Sequence, residues 1–119
     1  IRYNAALSPH SRLTPLPVTE WAESNGWLYA VQTGSVEEAR SLIDHLHGAG
    51  IVARDFWRSL SSQAPYVSCP CLLTGVSQHL SGRVVVLPSS SSLTMDDQAR
   101  VIAAIEGWCS TQGTKQQVL

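Results

Sequence analysis

One loop-like segment in the middle of the chain carries the residue types that can hold a flat, charged ligand. Arg54 and Arg58 have guanidinium groups, which pair with phosphates or carboxylates as planar forks. Phe56, Trp57 and Tyr66 have aromatic faces on which a flat ring can stack. The same residues also fit a loop that covers the core, with its aromatic side chains buried and its arginines in solvent. The residue types alone leave both interpretations open.

The cysteines and histidines do not form a metal-binding pattern. Cys69 and Cys71 are separated by a single residue, whereas structural zinc sites use wider spacing and a second ligand pair. His45 and His47 lie two residues apart on a predicted helix and therefore point to different faces. We expect these two residues and His79 to be ordinary surface or core histidines, and we predict no metal site.

The three cysteines do not form a disulfide framework either. Cys69 and Cys71 are too close in sequence to bridge easily, and Cys109 lies in an apolar helical pattern, where it is expected to pack as a small hydrophobic residue. The odd number of cysteines and the lack of an apolar signal segment at Ile1 predict a reducing, cytoplasmic location.

No other pattern in the sequence predicts a catalytic residue. There is no G-x-S-x-G elbow to mark a nucleophilic serine, and the helix dipole explains Asp96 and Asp97 at a predicted helix N-terminus. The glycines at 48–50 follow a helix rather than a strand, which is the wrong order for a phosphate-binding loop. The sole lysine, Lys115, lies near the C-terminal end, so we expect no chemistry that needs a buried lysine.

Length and charge exclude several classes of protein. A chain of 119 residues forms one domain, and a formal net charge of −1 lacks the broad basic field of a nucleic-acid binder. Its apolar runs are much shorter than the roughly 20 residues that span a bilayer. Only 14% of the residues are charged. Either a partner covers part of the surface, or a serine-rich surface that includes Ser89–Ser92 is neutral yet well hydrated.

Short strands and helices must position the candidate segment. A run of aromatic and β-branched residues predicts a strand over 27–32. Ser35 as an N-cap and Glu38 as its capping-box partner begin an amphipathic helix over 35–48. A second strand is predicted over 51–54, directly before the candidate segment.

Two further helices and a strand are predicted in the second half of the chain. A short helix is predicted over 72–80, followed by a strand over 83–87 that Pro88 ends. Thr94 caps a final helix over 95–110.

These elements predict an α+β fold with a small, three-stranded, mainly antiparallel sheet. The two longer helices pack on this sheet, and Ile1–Leu7 is the end of a further helix. We predict a single domain over 1–119, with a lead-in at 1–26, a core at 27–112 and a frayed tail at 113–119.

The order of short motifs across most of the chain is that of a known family. The stretch Gly50–Arg58 is close to the family's "G-I-x-x-R-x-x-W-K". A loop ending at Tyr66, the pair Cys69-Pro70, the strand end Val86–Pro88 and the helix start Leu93-Thr94 follow in the family's order. The chain thus resembles the C-terminal small domain of the DegT/DnrJ/StrS-type sugar-nucleotide aminotransferases, pyridoxal-phosphate (PLP) enzymes of the aspartate aminotransferase superfamily.

The resemblance implies transfer of an amino group to a nucleotide-linked keto-sugar, usually from glutamate. In such enzymes a lysine of the large domain holds PLP, and the motifs of that domain do not occur here. We therefore expect no cofactor in this chain alone and no transamination by it, and we expect a homodimeric partner or a large domain. The alternative is a free-standing ligand-binding or dimerisation module that reuses this fold.

Family position also implies which residues contact substrate, and none of them is catalytic. The family often reads "W-K-P-L-H" where this chain has Trp57–Ser61, so Ser61 cannot supply the imidazole of that histidine. The predicted substrate-binding residues are Arg54, Phe56, Trp57, Arg58, Ser61, Gln63 and Tyr66.

Overall fold

The computed structural model describes residues 2–113 as an α+β fold built on an antiparallel sheet, which confirms the predicted class. The strands are β1 (Leu13–Pro15), β2 (Tyr29–Thr33), β3 (Arg54–Asp55) and β4 (Val84–Leu87). Their order in the sheet is β1-β2-β4-β3, so β2 and β4 are central, with Val31 opposite Val85.

The fourth strand corrects the prediction of a three-stranded sheet. β1 lies in the segment expected to be an extended lead-in, and it pairs with β2 so that Leu13 is opposite Thr33 and Pro15 is opposite Val31. Three residues are too few to show a periodic pattern. Pro15 has no N–H to donate, and it is tolerated because β1 lies at the edge of the sheet.

The other strands differ from their predicted bounds for a common reason. β2 begins at Tyr29 and leaves Trp27 outside the sheet, while the pairing of β3 is confined to Arg54–Asp55. Ile51 and Ala53 are buried just before β3 without pairing to another strand. A buried apolar run has the sequence pattern of a strand whether or not its backbone pairs.

The helices are α1 (Arg2–Leu7), α2 (Val36–Gly48), α3 (Val76–Leu80) and α4 (Met95–Gly113). The predicted caps are confirmed: Glu38 N donates to Ser35 Oγ at 3.2 Å, and Asp97 N donates to Thr94 Oγ1 at 3.1 Å. The carboxylate of Glu38 accepts from Gly34 N at 2.9 Å. The bonds of Glu38 N and Asp97 N satisfy N–H groups that a helix itself leaves unpaired, and the Gly34 bond ties the residue before the N-cap to the first turn of α2.

Helix α3 is shorter than the predicted 72–80. Leu72 is 96% exposed and Leu73 is half exposed, so this apolar stretch does not pack and the helix begins at Val76. Helix α4 extends to Gly113, beyond the predicted 110, and the predicted fraying past Gly113 lies outside the described residues. Over residues 2–113, no helix has both the length and the apolar character needed to cross a bilayer.

The core lies between the sheet and helices α1, α2 and α4. Tyr3, Leu7 and Leu13 belong to it, although all three come from the predicted lead-in. Cys109 packs against it half-buried, as expected, and burial raises the pKa of its thiol. The other buried members are Val31, Ala39, Leu42, Leu46, Ile51, Ala53, Val85, Leu87, Val101, Ile105 and Trp108.

Trp108 of α4 joins several elements. Its Nε1 donates to Ser41 Oγ at 3.0 Å, and the guanidinium carbon of Arg12 lies 4.3 Å from the ring centroid. Arg12 also forms an ion pair with Glu38 in the first turn of α2. The segment before β1 is thereby held against α2 and α4, which fixes one edge of the sheet.

Candidate functional site

A large cleft in the described part of the chain has a volume of about 670 Å³. It is formed by the chain that leads into β2, by the two residues that follow β3 and by the segment after β4. Pockets of a few hundred Å³ or more with mixed apolar and polar walls are typical ligand sites. The lining residues used below are Tyr3, Asn4, Glu23, Trp27, Tyr29, Phe56, Trp57, Ser89, Ser90 and Gln98.

An aromatic cluster of Trp27, Phe56 and Trp57 forms one wall of this cleft. The ring centroids of Trp27 and Trp57 are 5.7 Å apart with a tilt of 43°, and those of Phe56 and Trp57 are 5.1 Å apart. Trp27 is 67% exposed and Trp57 is 65% exposed. The cluster therefore presents ring faces to solvent that a ligand or another protein surface can cover.

Local backbone bonds hold the cluster in place. Trp27 N donates to Asn25 Oδ1 at 3.1 Å, and Ser89 Oγ donates to the Trp27 carbonyl at 3.1 Å. Gly26, between Asn25 and Trp27, has φ of 68°, a conformation that glycine adopts without strain. Phe56 directly follows β3, and its N–H donates to the carbonyl of Val84 in β4 at 3.0 Å. The aromatic wall is thus attached to both ends of the central strands.

Two tyrosines form a second, neutral wall. The rings of Tyr3 and Tyr29 lie 4.7 Å apart, with Tyr29 OH donating to Asn4 Oδ1 at 2.6 Å and Tyr3 OH donating to the Pro88 carbonyl at 2.9 Å. Burial raises the pKa of Tyr3 to about 12, and burial also raises the pKa of Tyr29. Both phenols therefore stay protonated at neutral pH.

Charge divides the two clefts. Among the described residues that line the larger cleft, Glu23 carries the only formal charge at neutral pH. A smaller cleft of about 290 Å³ shares Phe56 and Trp57 with the larger one, and its lining contains the guanidinium group of Arg58 and the hydroxyls of Ser59 and Ser77. The larger cleft thus contains a carboxylate, whereas the smaller one contains a guanidinium group.

The structure brings together three of the seven predicted site residues. Phe56 and Trp57 line both clefts and Arg58 lines the smaller one. Arg54 is exposed on β3 and lines neither.

The remaining predicted residues belong to the turn beyond Arg58. Ser61 Oγ lies 2.8 Å from Ser59 Oγ, and Gln63 Nε2 donates to the Arg58 carbonyl at 3.2 Å. Tyr66 is 47% exposed. These bonds hold the turn together, and a contact of these residues with substrate stays a prediction.

Half of the larger cleft, from the segments that precede and follow the central strands, carries no chemical signal in the sequence. The strand-like pattern places Trp27 in the sheet, and Asn4, Tyr29 and Ser89 belong to no motif. The one local signal is the turn dipeptide Asn25-Gly26 directly before Trp27, which is compatible with a strand that begins at Trp27 or after it.

No metal-binding cluster of three or more His, Cys, Asp or Glu side chains occurs in residues 2–113. The Nε2 atoms of His45 and His47 donate to the carbonyls of Ala104 and Ala53, at 3.0 Å and 2.8 Å. Both histidines thus join α2 to neighbouring elements. Cys69 and Cys71 are exposed free thiols.

Solved structures with the same fold are aminotransferases. A sugar aminotransferase from Micromonospora echinospora has a TM-score of 0.76 at 22% identity over 89% of this chain and 28% of its own. The aminotransferase TlmJ from Streptoalloteichus hindustanus has a TM-score of 0.82 at 18% identity over 94% of this chain and 30% of its own. A Streptococcus pneumoniae protein solved in its PLP form has a TM-score of 0.78 at 23% identity, over 92% of this chain and 29% of its own.

The chain therefore spans about 30% of the length of the structures that it matches. At these identities the likeness establishes the fold. No curated protein matches the chain. The model of the DegT/DnrJ/EryC1/StrS aminotransferase family matches residues 1–106, which is most of the sequence. The chain belongs to this aminotransferase family.

Proposed function

We propose that this chain acts as the small domain of a PLP-dependent aminotransferase whose acceptor is a nucleotide-linked keto-sugar. The observation that carries the proposal is the family match over residues 1–106, in a chain that covers less than a third of the solved aminotransferases. Sugar aminotransferases are among those structures. The free, exposed thiols of Cys69 and Cys71 suit the reducing cytoplasm that we propose as its location.

The residues present do not fit PLP as a group resident in this chain. PLP chemistry requires a lysine amine, and residues 2–113 contain none, because the sole lysine is Lys115. Among the described residues, those that line the larger cleft include no arginine or lysine side chain to hold a phosphate group. We propose that a separate large domain supplies both and that this chain alone does not transaminate.

We propose that this chain binds part of the substrate and encloses the reacting groups. Trp57 next to Arg58 combines an aromatic face with a planar cation, which suits a ring that carries a phosphate. The role assigned by family position to Arg54, Ser61 and the other predicted residues is part of this proposal. A domain that closed over this surface would exclude water from the reacting groups.

Exposed apolar residues support a covering partner, either a large domain or a second copy of the chain. Large apolar side chains that a partner covers are removed from water, which favours association. The large apolar side chains that are at least half exposed are Val18, Trp21, Trp27, Val52, Trp57, Leu60, Val67, Leu72, Leu73, Val76 and Met95.

A direct test mixes the purified chain with PLP and L-glutamate. We expect no formation of 2-oxoglutarate and no visible absorbance band of bound cofactor. The Lys115→Ala variant is the matched control, because it removes the sole lysine amine. Turnover that depends on Lys115 would refute the proposal that the chain is inactive alone.

The second candidate is a free-standing binding or dimerisation module, and the exposed aromatic faces of Trp27 and Trp57 in the larger cleft favour it. The upstream coding sequence discriminates between the two. A reading frame that continues into a lysine-bearing domain supports the small-domain proposal. A start codon adjacent to Ile1, together with a dimeric mass in solution, supports the module.

A further inference from the structure

We propose that the larger cleft binds an uncharged ring, either a nucleobase or a hexose, and that it rejects phosphate groups. The inference deepens the proposed function, on which its link to a nucleotide-linked sugar depends. Phosphate sites use arginine, lysine or backbone N–H groups at a helix terminus. The described lining of this cleft contains one carboxylate, Glu23, and no basic side chain. A phosphate entering it would meet repulsion without a compensating cation.

The geometry of the aromatic cluster specifies how such a ring would lie. A ring placed between two others needs about 3.5–4 Å of separation on each side. The centroids of Trp27 and Trp57 are 5.7 Å apart, which leaves no room for a third ring between them. The ligand therefore stacks on an outer face of one of these tryptophans, and the large exposed fractions of both side chains provide that face.

Uncharged polar groups surround the aromatic faces. Asn4 accepts from Tyr29 through its oxygen, which leaves its amide N–H groups to donate to a ligand. The side chain of Gln98 makes no hydrogen bond among the described residues and can both donate and accept. Amides paired with aromatic faces match the edges and faces of a base or sugar ring, which carry neutral donors and acceptors.

The cleft wall is held before any ligand binds. Asn25 and Ser89 fix the backbone of Trp27 from both sides, and Phe56 is attached to β4. A wall that is already ordered loses little entropy on binding. Arg58 lines the smaller cleft, which shares Phe56 and Trp57 with the ring site, so the phosphates of a nucleotide would extend toward this guanidinium group.

Calorimetric titration of the purified chain tests this assignment. The probes are uridine, glucose, uridine diphosphate and inorganic phosphate. We expect uridine or glucose to bind, and inorganic phosphate not to compete with either. Binding of uridine without glucose assigns a base site, and the reverse assigns a hexose site.

Substitutions locate the binding. Trp27→Ala and Trp57→Ala are expected to weaken ring binding by about tenfold or more, the usual effect of losing a stacking face. Trp21→Ala is the matched control, because Trp21 is 87% exposed in the same region but does not line the cleft. Arg58→Ala is expected to weaken uridine diphosphate and leave uridine unchanged. The near-ultraviolet dichroism of the buried Trp108 verifies that each variant is folded.

Three results would overturn the ring site. These are failure of both uridine and glucose to bind, binding that neither cleft tryptophan affects, and displacement of uridine by inorganic phosphate. None of them bears on the small-domain proposal, which the PLP assay and the upstream coding sequence test independently.

Discussion

Two regions of this molecule use the same residue type in opposite ways. In the helical region, formed by α2, α4 and the segment before β1, Trp108 is 1% exposed. In the loop region, formed by 16–27 and 56–76, Trp27 and Trp57 are about two-thirds exposed. The helical region finds its partners within the chain, whereas the loop region presents aromatic faces outward. Burial of a tryptophan thus depends on whether the same chain supplies a packing surface.

The polar groups around the tryptophans of the two regions also serve different purposes: those near Trp108 contact the buried side chain itself, and those near Trp27 bond to its backbone. Trp108 Nε1 donates to Ser41, and Arg12 both pairs with Glu38 and lies over the Trp108 ring. In the loop region, by contrast, polar bonds position the backbone of Trp27 and leave its ring free to contact a ligand or partner. One region is organised for stability and the other for binding.

The largest expected effect is that of Trp108→Ala. Removing a fully buried aromatic side chain leaves a cavity and lowers the free energy of unfolding by about 3–5 kcal/mol. Trp57→Ala should change it by less than about 0.5 kcal/mol, because that side chain is exposed. Urea denaturation followed by far-ultraviolet dichroism measures both. Equal losses for the two variants would abolish the distinction between the regions.

A smaller loss is expected for Arg12→Ala. The ion pair with Glu38 is partly exposed, and together with the contact to Trp108 it should contribute about 1–2 kcal/mol to the free energy of unfolding. Arg40→Ala on the exposed face of α2 is the control, with an expected change within about 0.5 kcal/mol. The same urea titrations provide the comparison. Indistinguishable variants would show that Arg12 does not hold the sheet edge against the helices.

The smallest effect concerns Tyr3, which belongs to the core and also lines the larger cleft. Its pKa is about 12 when folded against an ordinary value of 10.0, so the unfolded chain loses this proton first as the pH rises. The contribution of the protonated Tyr3 phenol to the free energy of unfolding is therefore fully present below pH 10 and falls between pH 10 and about 12. Tyr3→Phe should reduce this slope and cost about 1 kcal/mol at neutral pH, since the bond to the Pro88 carbonyl is lost. An unchanged slope in pH-dependent urea titrations would contradict this assignment.

The two long helices, α2 and α4, were predictable because their signals are local. The N-cap Ser35 and the apolar spacing of α2 lie within one short window, and so do Thr94 and the start of α4. Strand β1 was missed because its register is set by β2, a distant segment. Phe56, Trp57 and Arg58 line a cleft, and their contact with substrate stays a prediction. The position of Trp27 beside them was not predicted, because its strand-like pattern placed it in the sheet.

Residue types at short spacing and the order of motifs were enough to predict the fold class, the caps of the long helices and the family. The contact of Trp27 with Trp57, the position of Arg12 over Trp108 and the sharing of Phe56 and Trp57 by two clefts follow from the tertiary structure. Such contacts join residues tens of positions apart. Their geometry follows from how the whole sheet and its helices pack, which no short window of sequence contains.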